Sequence, residues 1–125
     1  MSKPAQAAQL KALAGITGMV LEARLAELRR ANAACEATRA ALVALSATQP
    51  APESDLPLAA LARADLLYDR WVEGKRADLN LQLARQTATW LDSRSVAAKA
   101  FGRDEVLKRL TEQLDHERAK LRAPG

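Results

Sequence analysis

The chain has 125 residues, enough for one domain, and carries a formal charge of +4 with a pI near 9.6. Apolar residues make up 49% of it, yet the aromatics are only two tryptophans, one tyrosine and one phenylalanine, which excludes a wide globular core and favours narrow alanine–leucine helix seams. Acidic residues are interspersed among the basic ones rather than segregated, so the dense basic face of a nucleic-acid binder is missing and no nucleic-acid partner is expected.

Met1 to Leu10 contains no apolar stretch of the signal-peptide kind, and no apolar run approaches the roughly 20 residues that cross a bilayer. The expectation is a cytoplasmic protein with no direct membrane insertion. Cys35 is the single cysteine, so no disulfide forms within the chain, in keeping with a reducing compartment.

A first helix is predicted over about 5–47. Leu21, Leu25, Leu28, Cys35 and Leu42 recur at steps of three, four and seven, the spacing of a helix seam, with polar Asn32 and Arg39 at intervening seam positions. A proline-rich linker follows over 48–56. Pro50, Pro52 and Pro57 cannot lie together inside one helix, because proline lacks the amide donor and clashes with the preceding turn. Ser54 or Asp55 is placed to cap a second helix, with Pro57 in its first turn.

The second helix is predicted over about 57–121. Leu79, Leu83, Trp90 and Ala97 form its first stripe. After Gly102 a fresh stripe of Leu107, Leu110, Leu114 and Leu121 begins, which predicts a continuous helix with a kink or register change near 102. The fold class expected is all-α: an antiparallel two-helix coiled-coil hairpin with unequal arms, the second longer.

Folding the chain about residue 52 sets Leu42 near Ala62, Leu28 near Arg76, Leu21 near Leu83, and Trp90 against Ala14, Gly15 and Gly18. In that register the first helix ends before Phe101. The segment to Leu121 is then an unpaired overhang whose leucines form a binding or self-association surface. Trp71, beside Arg70 and off the stripe, is either an interface anchor or a cover for the seam edge against Ala33 and Ala34.

Chemistry-bearing constellations are missing. His116, between Asp115 and Glu117, reads as a solvated helix residue, and Cys35 on the stripe reads as a small buried side chain. Asp65, Asp69 and Glu73 lie four apart on one face and read as a solvated acidic ladder. No phosphate-cradling glycine loop or hydrolase triad is present, and no cofactor, metal or catalysis is expected. Glu53 to Glu73 is acidic, whereas Gly74 to Arg103 is basic, a pattern suited to an acidic protein partner or to simple solvation.

Three stretches carry a family resemblance: Leu10-Lys11-Ala12-Leu13-Ala14 with Leu21 to Arg30 and Ala34-Cys35-Glu36; Arg70-Trp71; and the basic, alanine-rich run to Ala100-Phe101-Gly102-Arg103 with its charged tail. With the short-then-long helix pair, the chain resembles the FliJ-like and YscO-like central-stalk proteins of flagellar and virulence type III secretion. The resemblance implies a coiled-coil stalk that inserts into a hexameric secretion ATPase, promotes its assembly and touches the cytoplasmic domain of the export gate, in some cases escorting secretion chaperones. It also implies a place at the periphery of the export apparatus. Under it, the joined terminal regions meet the ATPase ring, and hairpin geometry adds the overhang with Leu107, Leu110, Leu114 and Leu121 to that contact; Trp71 is a separate candidate for partner binding. The competing reading is a generic helical adaptor or small export chaperone acting by helix–helix pairing.

Overall fold

A computed structural model describes residues 3–47 and 55–122, and these form two helices: α1 (Lys3–Ala47) and α2 (Leu58–Arg122). The chain is all-α, two helices packed against one another, and the second is the longer. No helix among the described residues is long and apolar enough to cross a membrane. Most of the expected linker, including Ser54, lies outside the described residues. The first turn of α2 closes with the Leu61 amide donating to the Pro57 carbonyl at 3.0 Å, so Pro57 takes the capping place expected of Asp55.

The helices pack as two units. One contains the α1 residues up to Arg30 and the α2 residues from Leu91. The other runs from Ala31 to Trp90. In the first unit the covered α1 positions include Ala7, Leu10, Ala14, Thr17 and Leu21, and those of α2 include Ala97, Ala100, Asp104, Leu107, Thr111 and Leu114. Steps of three and four alternate on both helices, the period of a coiled-coil seam. In the second unit Ala31, Cys35 and Thr38 are buried on α1, and Leu79, Leu83, Gln86 and Trp90 are half-buried on α2.

Two parts of the expected pattern are corrected by this seam. Asn32 and Arg39 are exposed, and Arg39 pairs with Glu36 on the surface at 3.2 Å. Ala31 and Thr38, one residue earlier, hold the seam positions instead. Small and hydroxyl side chains fit a close helix approach that asparagine or arginine would wedge apart. The second correction concerns Gly102. It lies inside α2 without a break, and the seam runs on from Ala97 and Ala100 through Asp104 to Leu107 with no change of period. The stripe looked interrupted because its next member is a buried carboxylate.

A Cβ built on Gly102 meets nothing within 4 Å. Alanine there should therefore add helix propensity without a clash, and Gly102→Ala should raise stability by about 1 kcal/mol. Thermal melts followed by helical circular dichroism check this. A fall in midpoint would mean that the glycine serves a bend.

Candidate interaction surfaces

Two polar pairs set the register, one in each unit. In the first, the Thr17 hydroxyl lies 3.1 Å from Asp104 Oδ1 and equally 3.1 Å from the Ala14 carbonyl of its own helix, so its one proton is shared between them, and Lys108 Nζ pairs with Oδ2 of the same carboxylate at 3.0 Å. Asp104 is 1% exposed and is the largest fully buried side chain. Gly18 lies against it: a Cβ at Gly18 would stand 3.8 Å from Asp104 Oδ1, an ordinary contact. In the second unit the Thr38 hydroxyl donates to Gln86 Oε1. A buried carboxylate left without its partner costs about 1–3 kcal/mol, comparable to a misplaced leucine, and the half-buried Gln86 adds a second directional contact, so these pairs favour one alignment on an alanine-rich seam. The other seam hydroxyl, Thr111, returns its proton to the Leu107 carbonyl of its own helix.

The resulting register overturns the one expected from the prolines. The pairings Leu42–Ala62, Leu28–Arg76, Leu21–Leu83 and Trp90 with Ala14, Gly15 and Gly18 all belong to the superseded alignment. Gly18 approaches Asp104, and Gly15 has open space around it. Nine residues on from Thr38 is Ala47, the end of α1, and nine residues back from Gln86 is Ala77. Leu58 to Arg76 therefore lies beyond the end of α1, at the linker side of the second unit. The ten residues between the helices reach up to about 33 Å when extended, more than the roughly 28 Å rise of that helical stretch. A linker that long does not oblige the helix ends to meet.

The C-terminal overhang is corrected accordingly. In the first unit Gln6, Gln9, Leu10 and Leu13 share a groove with Leu110, Gln113, Leu114 and Glu117, so the C-terminal leucines have the start of α1 beside them. Leu107 and Leu114 are half-buried on the seam, Leu110 is exposed at its edge, and Leu121 is largely exposed. Trp71 is 58% exposed and sits with its ring centroid 6.0 Å from that of Tyr68, the planes at 32°. It does not cover Ala34, which shares a recess with Ala31, Arg85, Gln86 and Thr89. Cys35 is buried and His116 is exposed. Among the described residues no group of three His, Cys, Asp or Glu side chains is placed to hold a metal ion.

What the sequence reading missed is the outer face of the first unit. Leu13, Ile16, Met19 and Val20 are all exposed, and from Pro4 to Leu21 the only charged residue is Lys11. On the α2 side Val106 and Leu110 are exposed beside them, with Lys99 and Arg103 at one end of the strip and Glu117 at the other. Its signal in the sequence is the charge-poor stretch itself, which a seam period does not reveal because these residues lie off the seam.

No family model, no curated protein and no solved structure matches the chain. Function is therefore argued from these surfaces.

Lys108 contributes an electrostatic signature. Its hydrogen bond to Asp104 and the charge of that carboxylate raise its pKa above the ordinary 10.5, with smaller support from Glu105 and Glu112 against slight desolvation. The raised value means that the charged form is favoured by folding. The contribution is fully present below the unfolded-state value and is lost as pH rises through the folded one. Stability should fall more steeply above pH 10.5 in the native chain than in Lys108→Met, which lacks the titrating group. Parallel denaturation curves across that range are the check, and identical slopes would remove the ammonium from the account.

Proposed function

We propose that the chain is a non-catalytic coiled-coil protein that works by helix–helix pairing, as the stalk of a type III export apparatus, flagellar or virulence-associated. In this reading it engages the hexameric secretion ATPase and the cytoplasmic domain of the export gate from the cytoplasmic side, with secretion chaperones as further partners. The observation that carries the pairing mode is the charge-poor α1 face with Leu13, Ile16, Met19 and Val20 exposed. An apolar strip on a helix already paired along its seam is an offer of a further helix-sized contact. The reading as an export stalk is supported by the sequence resemblance and by the paired terminal stretches of α1 and α2, which carry that strip. Mixing the purified chain with a hexameric export ATPase should give one chain per hexamer and faster ATP turnover. Absence of binding together with unchanged turnover sinks the stalk.

The alternative is a helical adaptor or small export chaperone. A separate observation favours it: the head of α2, beyond the end of α1, exposes Leu66, Leu67 and Trp71 beside the acidic Asp65, Asp69 and Glu73. Exposed tryptophan next to charge is the composition of interface anchors. If Trp71→Ala abolishes capture of a secretion partner while ATPase stimulation is never seen, the adaptor reading is preferred.

A further inference from the structure

The outer strip of α2 in the first unit reads the same in both directions. Lys99, Arg103, Val106, Leu110, Gln113 and Glu117 follow one another at steps of four, three, four, three and four, and all six are exposed. Reversing the strip exchanges Lys99 with Glu117, Arg103 with Gln113, and Val106 with Leu110. Each exchange joins complementary chemistry: cation with carboxylate, guanidinium with amide oxygen, aliphatic with aliphatic. A two-fold axis perpendicular to the helix, level with Lys108, performs this reversal, and an interface built on such an axis must be self-complementary in this way.

The neighbouring strip of α1 tolerates the same axis. Its reversal exchanges Leu13 with Ile16, aliphatic with aliphatic, and Gln9 with Val20, an amide on an aliphatic group, and it carries no charge that would be set against itself. The two midpoints are level, because Leu13 and Leu110 line one groove and Thr17 is bonded to Asp104 just beyond.

We propose that this face of the first unit binds a second copy of the chain, antiparallel, so that the four helix stretches form a bundle about a two-fold axis level with Lys108. The proposal goes beyond the stalk reading and uses the same strip, so the dimer and a one-chain-per-hexamer complex exclude each other on that face; association is measured with no ATPase present, which keeps the two tests separate. The occupant is a copy rather than an unrelated helix because only a copy brings Glu117 to Lys99 and Lys99 to Glu117 in one step.

Sedimentation equilibrium of the full chain at low salt tests it. The native chain should reach dimer at concentrations on the order of 100 μM. Lys99→Glu alone and Glu117→Lys alone should each weaken the dimer roughly tenfold, since each sets two like-charge pairs across the axis. The double variant carrying both should recover the native constant. Both positions are exposed and off the seam, so the singles should keep native helical content and melting. A chain that stays monomeric throughout this range, or singles that dimerise as well as the native chain, or a double variant no better than the singles, overturns the proposal.

Discussion

Thr17→Val should destabilise the protein by about 2 kcal/mol, and adding Asp104→Leu to it should recover most of that loss. The single substitution leaves the Asp104 carboxylate 1% exposed without the hydroxyl that donates to it. A buried acceptor oxygen deprived of its donor carries a desolvation penalty. Lys108 still pairs with the other oxygen at 3.0 Å, so the loss falls on Oδ1, which faces the α1 seam. Replacing both members with aliphatic groups of similar shape removes the penalty with its cause, and apolar replacements of buried polar pairs are often neutral or better. Chemical denaturation of the native chain, the two single variants and the double variant gives the coupling directly. A double variant as unstable as Thr17→Val would show that packing, not the orphaned carboxylate, carries the cost. The double variant should also hold its register less firmly, since nothing polar then distinguishes one seam alignment from the next.

Ala100→Phe should cost about 3 kcal/mol and lower the melting midpoint by roughly 10 °C. Ala100 is 5% exposed on the α2 seam, four residues before Asp104 and so level with buried Leu21, four residues after Thr17. A phenylalanine adds apolar surface, so an account based on hydrophobicity alone predicts a gain. The packing account predicts the opposite sign, because helices spaced for alanine cannot admit a ring without moving apart along several turns. Ala98→Phe, on the exposed side of the same helix, is the control and should stay within about 0.5 kcal/mol of the native chain. Thermal melts of the two variants decide between the accounts, and equal behaviour would mean that the seam is loose enough to accept volume.

Much of this architecture was legible before any coordinates. Prolines at 50, 52 and 57 mark where helix cannot continue, and the leucine spacing on either side is a helix period. The scarcity of aromatics pointed to narrow seams, and small side chains line them in each unit: Ala97 and Ala100 in the first, Ala31 and Cys35 in the second. Register was not legible. The position of the prolines says where the chain turns, but the alignment of the helices is decided by which polar groups satisfy each other, and Thr17–Asp104 and Thr38–Gln86 are joined across 87 and 48 residues of sequence. An aspartate on a seam looks from the sequence like an interruption, which is why the expected stripe starts afresh at Leu107. The expected overhang comes instead from folding the chain about residue 52, a register that the Thr17–Asp104 pair overturns. For the candidate surfaces, Trp71 was visible as an outlier, whereas the apolar face around Leu13 and Ile16 emerges only once the seam is known to lie elsewhere.

Cys35 gives this molecule an internal timer. It is the only thiol in the chain and is 3% exposed, wedged where α1 meets α2 in the unit from Ala31 to Trp90. A bulky maleimide cannot reach its sulfur until the helices there part, so the rate of alkylation counts openings of that one stretch and is blind to fraying elsewhere. Evolution has left a single reporter atom at the midpoint of a seam otherwise composed of chemically silent side chains.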